Sequence, residues 1–168
     1  KIVSSGVDGS GHTKGTVKFT GDNNAFDGVI DIAGGRLTVG NANALGAASV
    51  VKVASGAQLF LGTAGTYANP TEVAGTGIVE NAGQLGAVRF ANGAVLSGAM
   101  TLKDNTQFTA YSLGDTGTIS GSIGENGGSF GITKIGAGTL TLSGANNYTG
   151  ATTVTGGRLN IGSTNASA

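Results

Sequence analysis

About every twenty residues this chain repeats one short event, a glycine-containing turn followed by an aliphatic residue that opens a run of two-residue alternation. The aliphatic anchors are Val17, Leu37, Leu59, Ile78, Leu96, Ile119, Leu140 and Leu159, spaced 20, 22, 19, 18, 23, 21 and 19 residues apart. Val17 and Phe19 alternate with Thr16, Lys18 and Thr20, Val51 and Val53 flank Lys52, and Leu140 and Leu142 flank Thr141. Such short runs bounded by Gly, Asn or Ser are the pattern of half-buried strands. The turns ahead of them include Gly34-Gly35, Ser55-Gly56, Asn92-Gly93 and Gly156-Gly157, residues suited to positive φ. Helix-forming composition is confined to Ala42–Ser49, which is short and interrupted by Gly46.

A period near 20 combined with β alternation predicts a solenoid. Leucine-rich repeats share the period, but their L-x-x-L-x-L pattern and asparagine ladder are missing. The expected fold is therefore all-β, a right-handed parallel β-helix over residues 1–168 with about eight coils of about 20 residues. Composition fits a thin, continuous core. Gly, Thr, Ser and Asn supply 80 of the 168 residues, and Val, Ile, Leu and Phe supply 39. That aliphatic and phenylalanine content, at zero net charge, exceeds what simple disorder shows. The absence of Cys excludes a disulfide framework, and a single His12 excludes a Cys/His zinc site. Nine basic residues balanced by nine acidic ones give no field for nucleic acid, and no cofactor motif is present. No apolar run is long enough to span a membrane as a helix. The chain opens at Lys1 without Met or a leader, and reads as a piece of a longer polypeptide.

One repeat is stronger than the rest. Gly15–Ala44 and Gly138–Ala166 are identical at 13 of 29 aligned positions once Ala25 is treated as an insertion. The shared pattern is G-T-φ-x-φ-[ST]-G-x-N-N-aromatic-x-G followed by G-G-R-L-x-φ-G. In the second copy it comprises Gly138, Leu140, Leu142, Gly144, Asn146, Asn147, Tyr148, Gly150, Gly156, Gly157 and Leu159. Phe26 and Tyr148 hold the same loop position, where each is expected to cover one side of the core. The stretch 134–166 resembles the passenger-associated transport repeat of bacterial autotransporters, and 15–44 resembles a diverged copy. Ala42–Gly62 resembles the usual continuation of that repeat. The resemblance implies a type V secreted passenger of a Gram-negative bacterium, displayed on the surface or released. It implies a stalk, adhesin or host-directed virulence factor whose C-terminal coils assist folding and export. The family's C-terminal membrane barrel is not part of this sequence, so any membrane association would come through that barrel.

Candidate chemistry is sparse. Gly127-Gly128-Ser129-Phe130-Gly131 matches the G-x-S-x-G nucleophile elbow, but His12 precedes the serine and no α/β pattern surrounds it. In a chain this rich in Gly and Ser such a match arises by composition. A glycan hydrolase or lyase, the alternative to a non-catalytic passenger, needs paired carboxylates. Asp31 and Glu72 have the most similar offsets from their anchors, two coils and roughly 10 Å apart. Solvated surface acids are the favoured reading. The glycosylation sequons at Asn147 and Asn165 would stay unmodified by that pathway in a bacterium.

Residues flanking the anchors form two outward columns: Thr16, Arg36, Gln58, Gly77, Val95, Thr118, Thr139, Arg158, and Lys18, Thr38, Phe60, Val79, Ser97, Ser120, Thr141, Asn160. Both are mostly uncharged and rich in hydroxyls, which reads first as a neutral solvated wall. Phe60 and Val79 would be adjacent on it and form the candidate contact patch. The partners considered are a second copy of the chain lying side by side, a host surface protein, or a glycan.

Overall fold

The structure is a computed structural model, and it describes residues 2–3, 15–80 and 83–162. His12, Asp8 and the tail of the second repeat at 163–166 lie outside the described residues. The chain winds as a parallel β-solenoid whose strands stack on three faces, with no helix among the described residues. The helix-forming stretch at 42–47 is a series of turns instead.

The first face stacks Ile2–Val3, the first half of Val29–Val39, Val50–Val53, Thr71–Gly75, the first half of Met100–Ala110, and Ile123–Glu125. The second face stacks Thr16–Phe19, the second half of Val29–Val39, Ala57–Leu61, Val88–Phe90, the second half of Met100–Ala110, Ile132–Ile135 and Thr152–Val154. The third stacks Gly65–Tyr67, Ala94–Leu96, Thr116–Ile119, Thr139–Leu142 and Arg158–Ile161. The two eleven-residue strands bend from the first face into the second. Gly35, at φ 68°, sits at the first of those bends.

Seven strands on the second face give about seven coils rather than eight. Stacked at ~4.8 Å, they span roughly 30 Å. The discrepancy has a single local cause. Register positions Leu59 and Val88 are direct neighbours, so that coil consumes 29 residues, against 20 for Val17 to Leu37. The excess is a small antiparallel hairpin, Val79–Glu80 with Gly83–Gln84, that leaves the solenoid and returns. Ile78 therefore anchors no coil of its own. The anchors also fall on two faces: Val17, Leu37 and Leu59 stack on the second, Leu96 and Ile119 on the third. Leu140 pairs with Gly117, and Ile119 with Leu142, a slip of two residues against the expected alignment.

Inward positions form continuous ladders. One runs Ile30, Val51, Thr71, Met100, Ile123; another Leu37, Leu59, Val88, Phe108, Lys134. On the third face Tyr67, Leu96, Ile119 and Leu142 stack, all buried. Each aliphatic member removed from water contributes about 1.5–3 kcal/mol against the cost of ordering the chain. Side chains of different size compensate across a coil. Gly117 lies against the Phe90 ring, where an added Cβ would approach within 2.5 Å of it.

The two strong repeats build the same unit. In the first, Thr16, Val17, Lys18 and Phe19 pair with Arg36, Leu37, Thr38 and Val39. In the second, Thr139, Leu140, Thr141 and Leu142 pair with Arg158, Leu159, Asn160 and Ile161. Each repeat is thus one full coil whose first strand receives its last in the same register. Gly35 and Gly157 have φ of 68° and 65° at equivalent positions. The unit closes on the second face in one copy and on the third face in the other.

Candidate functional site

The outer side of the second face is not the flat solvated wall that alternation predicts. Thr16, Arg36 and Gln58 do stack, as do Lys18, Thr38 and Phe60. Beyond Phe60 the second column continues to Arg89 and Thr109, not to Val79 and Ser97. Thr118, Thr141 and Asn160 share one column on the third face, where the sequence reading divided them between two.

The hairpin folds back over this surface. Gln58, expected to be outward and solvated, is fully buried, and its Nε2 donates to the carbonyls of Leu85 and Gly86 at 2.7 and 2.8 Å. A bridge between Gly77 and Gly86 fixes the hairpin base. Gly77 has φ 75°, and a Cβ there would meet the Gly86 carbonyl at 2.0 Å, so only glycine fits. Arg36 Nε donates to Gln58 Oε1 at 2.6 Å, and its guanidinium lies 2.8 Å from Glu80 Oε1 on the hairpin.

These contacts assemble a stack of alternating cations and rings. The Arg36 guanidinium sits 6.0 Å from the Phe60 ring centre, and Arg89 sits 4.5 Å from the same ring on register with it. Arg89 also lies 4.8 Å from the Tyr111 ring. Each such contact is worth about 0.5–2 kcal/mol, rising as water is excluded. Burial, and then the positive charge of Arg36, lower the pKa of Arg89, while Asp115, Glu80 and Tyr111 act in the opposite direction. Arg89 has no carboxylate within ion-pair distance among the described residues, and its Nε has no acceptor. Of the proposed contact pair, Phe60 is the partly buried centre of this stack, while Val79 is 38% exposed on the hairpin beside Glu80.

Other candidates have structural surroundings. Ser129 lies in the loop 126–131, where its Oγ is hydrogen-bonded to Thr149 Oγ1 at 2.9 Å. Thr149 N and Oγ1 also reach Glu125 Oε1, and Phe130 N donates to Glu125 Oε2 at 2.7 Å. The side-chain bond from Thr149, then the backbone bond from Phe130, hold the Glu125 carboxyl below its ordinary pKa. No strand–turn–helix elbow supports Ser129. Asp31, Lys52 and Glu72 stand on three successive strands, so a lysine separates the two acids. Lys52 Nζ lies 3.6 Å from Glu72. Two hollows open at the first and last described coils, one beside Phe26 and Val29, the other beside Tyr148 and Val154. Tyr148 packs against the core, whereas Phe26 is 42% exposed.

Sequence reasoning missed Lys134. It occupies an inward ladder position next to Phe108 and is fully buried. Its ammonium donates to the carbonyls of Ile135, Gly136 and Gly156 at 2.7, 2.9 and 3.2 Å, tying two successive coils together. Burial lowers its pKa. In Ile132-Thr133-Lys134-Ile135 either parity is possible, so alternation alone could not reveal which residue faces inward.

The model of the passenger-associated-transport-repeat matches residues 14–39 and 132–161. A 46-residue segment, 27% of this chain, is 52% identical to the adhesin BmaC autotransporter of Brucella suis biovar 1 (strain 1330). That match spans 1% of the relative's own length. No solved structure matches the chain.

Proposed function

We propose that this chain, an autotransporter passenger segment carrying two transport repeats, is a non-catalytic adhesive stalk on or released from the surface of a Gram-negative cell. The observation that carries this reading is the structural equivalence of the two repeats. Each closes one complete coil in the same register, so each can cap and extend a rod of uninterrupted core. Coils of this kind contact only their neighbours, which suits folding that propagates along the rod as chain emerges. The C-terminal coil, stapled by Lys134, is well built to start that process. The adhesin name of the relative supports adhesion. A glycan-active site gains no comparable support, since Lys52 separates Asp31 from Glu72.

The test is display of this chain ahead of an autotransporter barrel in a laboratory Gram-negative strain without other adhesins. Expected are protease-accessible chain at the surface, adherence to cultured epithelial cells above the barrel alone, and a several-fold fall in display when residues 132–162 are deleted. Full display without added adherence or aggregation would overturn the adhesive role. Undiminished display of the deletion would overturn the export role.

A further inference from the structure

Leu113 is 84% exposed, an unusual position for a large aliphatic side chain, and it lies two residues from Tyr111, which is 38% exposed. The turn that presents it is firmly held. Ser112 N donates to Asp115 Oδ2 at 2.8 Å, and Asp115 N donates to Ser112 O at 2.9 Å. Ala137 N and Thr139 N, on the following coil, donate to the carbonyls of Tyr111 and Asp115 at 3.0 and 2.9 Å. The exposed leucine therefore stands on a pre-ordered support, and binding through it costs little ordering entropy.

Beside this turn lies Arg89, stacked on Phe60 and Tyr111. No carboxylate pairs with it among the described residues, and Asp115 and Glu80 influence it only at longer range. Tyrosine and arginine are enriched at interface hot spots, and Leu113 adds exposed apolar area beside them.

We propose that Leu113, Tyr111 and Arg89, with Phe60 beneath them, form a docking surface for a protein partner that offers an apolar recess flanked by a carboxylate. A protein fits better than a saccharide for two reasons. Leu113 requires an apolar pocket, and Arg89 lies over one face of each of the Phe60 and Tyr111 rings, which reduces the ring surface left for a sugar. The Arg89 guanidinium, without a paired carboxylate among the described residues, supplies the charge that a carboxylate complements. This rests on the adhesive reading and specifies where adhesion occurs.

The experiment measures binding of the purified, fluorescently labelled chain to cultured epithelial cells left untreated, treated with protease, or treated with glycosidases. Leu113→Ser and Arg89→Gln are compared with the parent chain, after thermal unfolding has confirmed that both are folded. Leu113→Ser is the safer variant, because the side chain is almost entirely outside the fold. The surface predicts protease-sensitive, glycosidase-resistant binding, weakened about tenfold by either substitution. It also predicts that added salt weakens the parent's binding more than that of Arg89→Gln. Parent-like binding by both variants would overturn the docking surface while leaving adhesion standing. Glycosidase-sensitive, protease-resistant binding would replace the protein partner by a carbohydrate. Sedimentation showing dimers that Leu113→Ser abolishes would make a second copy the occupant. No binding by the parent chain would overturn both this surface and the adhesive reading.

Discussion

At the scale of single residues, the core of this solenoid is decided by a few exceptions to its aliphatic ladders. Lys134 replaces an apolar residue below Phe108 and uses all three of its protons on backbone carbonyls of two coils. A buried cation is tolerated only when paired or fully hydrogen-bonded, and here the corner carbonyls provide that satisfaction. Lys134→Met keeps most of the packing volume but leaves those carbonyls without their donor, and should cost about 3 kcal/mol in urea unfolding. A loss below about 0.5 kcal/mol would mean that the carbonyls find water instead. Gly117 is the opposite exception, a vacancy filled by Phe90 from the neighbouring face. Gly117→Ala should destabilise by about 1–3 kcal/mol through overpacking, and Phe90→Leu should relieve part of that cost in the double variant. Strict additivity of the two would show that the ring does not fill the space.

Among the elements, departures from regular coiling carry the distinctive chemistry. The hairpin at Val79–Gln84 lengthens one coil, buries Gln58, and brings Glu80 to Arg36. The loop 126–131 is organised differently, around one carboxylate. Glu125 stands where Leu102 stands one coil earlier, and it accepts from the Phe130 N–H of the loop and from Thr149. Because these bonds favour the ionised form, the pKa of Glu125 in the folded chain lies below its ordinary value of 4.5. Its contribution is present above that ordinary value and is lost as pH falls through the folded pKa. Amide exchange at Phe130 and Thr149 should therefore accelerate as pH is lowered through this acidic window, after correction for intrinsic rates. Glu125→Gln should exchange rapidly at all pH values and show no such step. A step of equal size in the variant would assign it to another acid.

For the whole molecule, nearest-neighbour construction determines how a local fault is felt. Each coil contacts the coils beside it, so stability varies along the axis. In Lys134→Met, faster amide exchange should be confined to residues 132–161, with 29–61 unchanged. A uniform increase would mean that the seven coils unfold as one cooperative unit. The same construction explains how one repeat can close on the second face near one end and on the third near the other. A coil needs a compatible strand beneath it, and any of the three faces offers one.

The sequence by itself determined that this is an all-β parallel solenoid with a period near 20 and two equivalent transport repeats, because alternation and glycine corners are local properties of the chain. It placed the repeat strands so well that Thr16 to Phe19 and Thr139 to Leu142 meet their expected partners in register. Only the tertiary structure decided the number of coils, the face on which each strand lies, and the direction of Lys134. The three faces carry the same glycine-then-aliphatic signal, so a mean period cannot assign a strand to one of them, and a hairpin introduced by its own glycine-then-aliphatic pair, Gly77-Ile78, passes for a coil. The Arg36, Phe60, Arg89 and Tyr111 stack was illegible for the same reason. Its members come from four coils, and the insertion that separates Phe60 from Arg89 in sequence is what brings Glu80 and the backbone acceptors of Gln58 to one end of the stack.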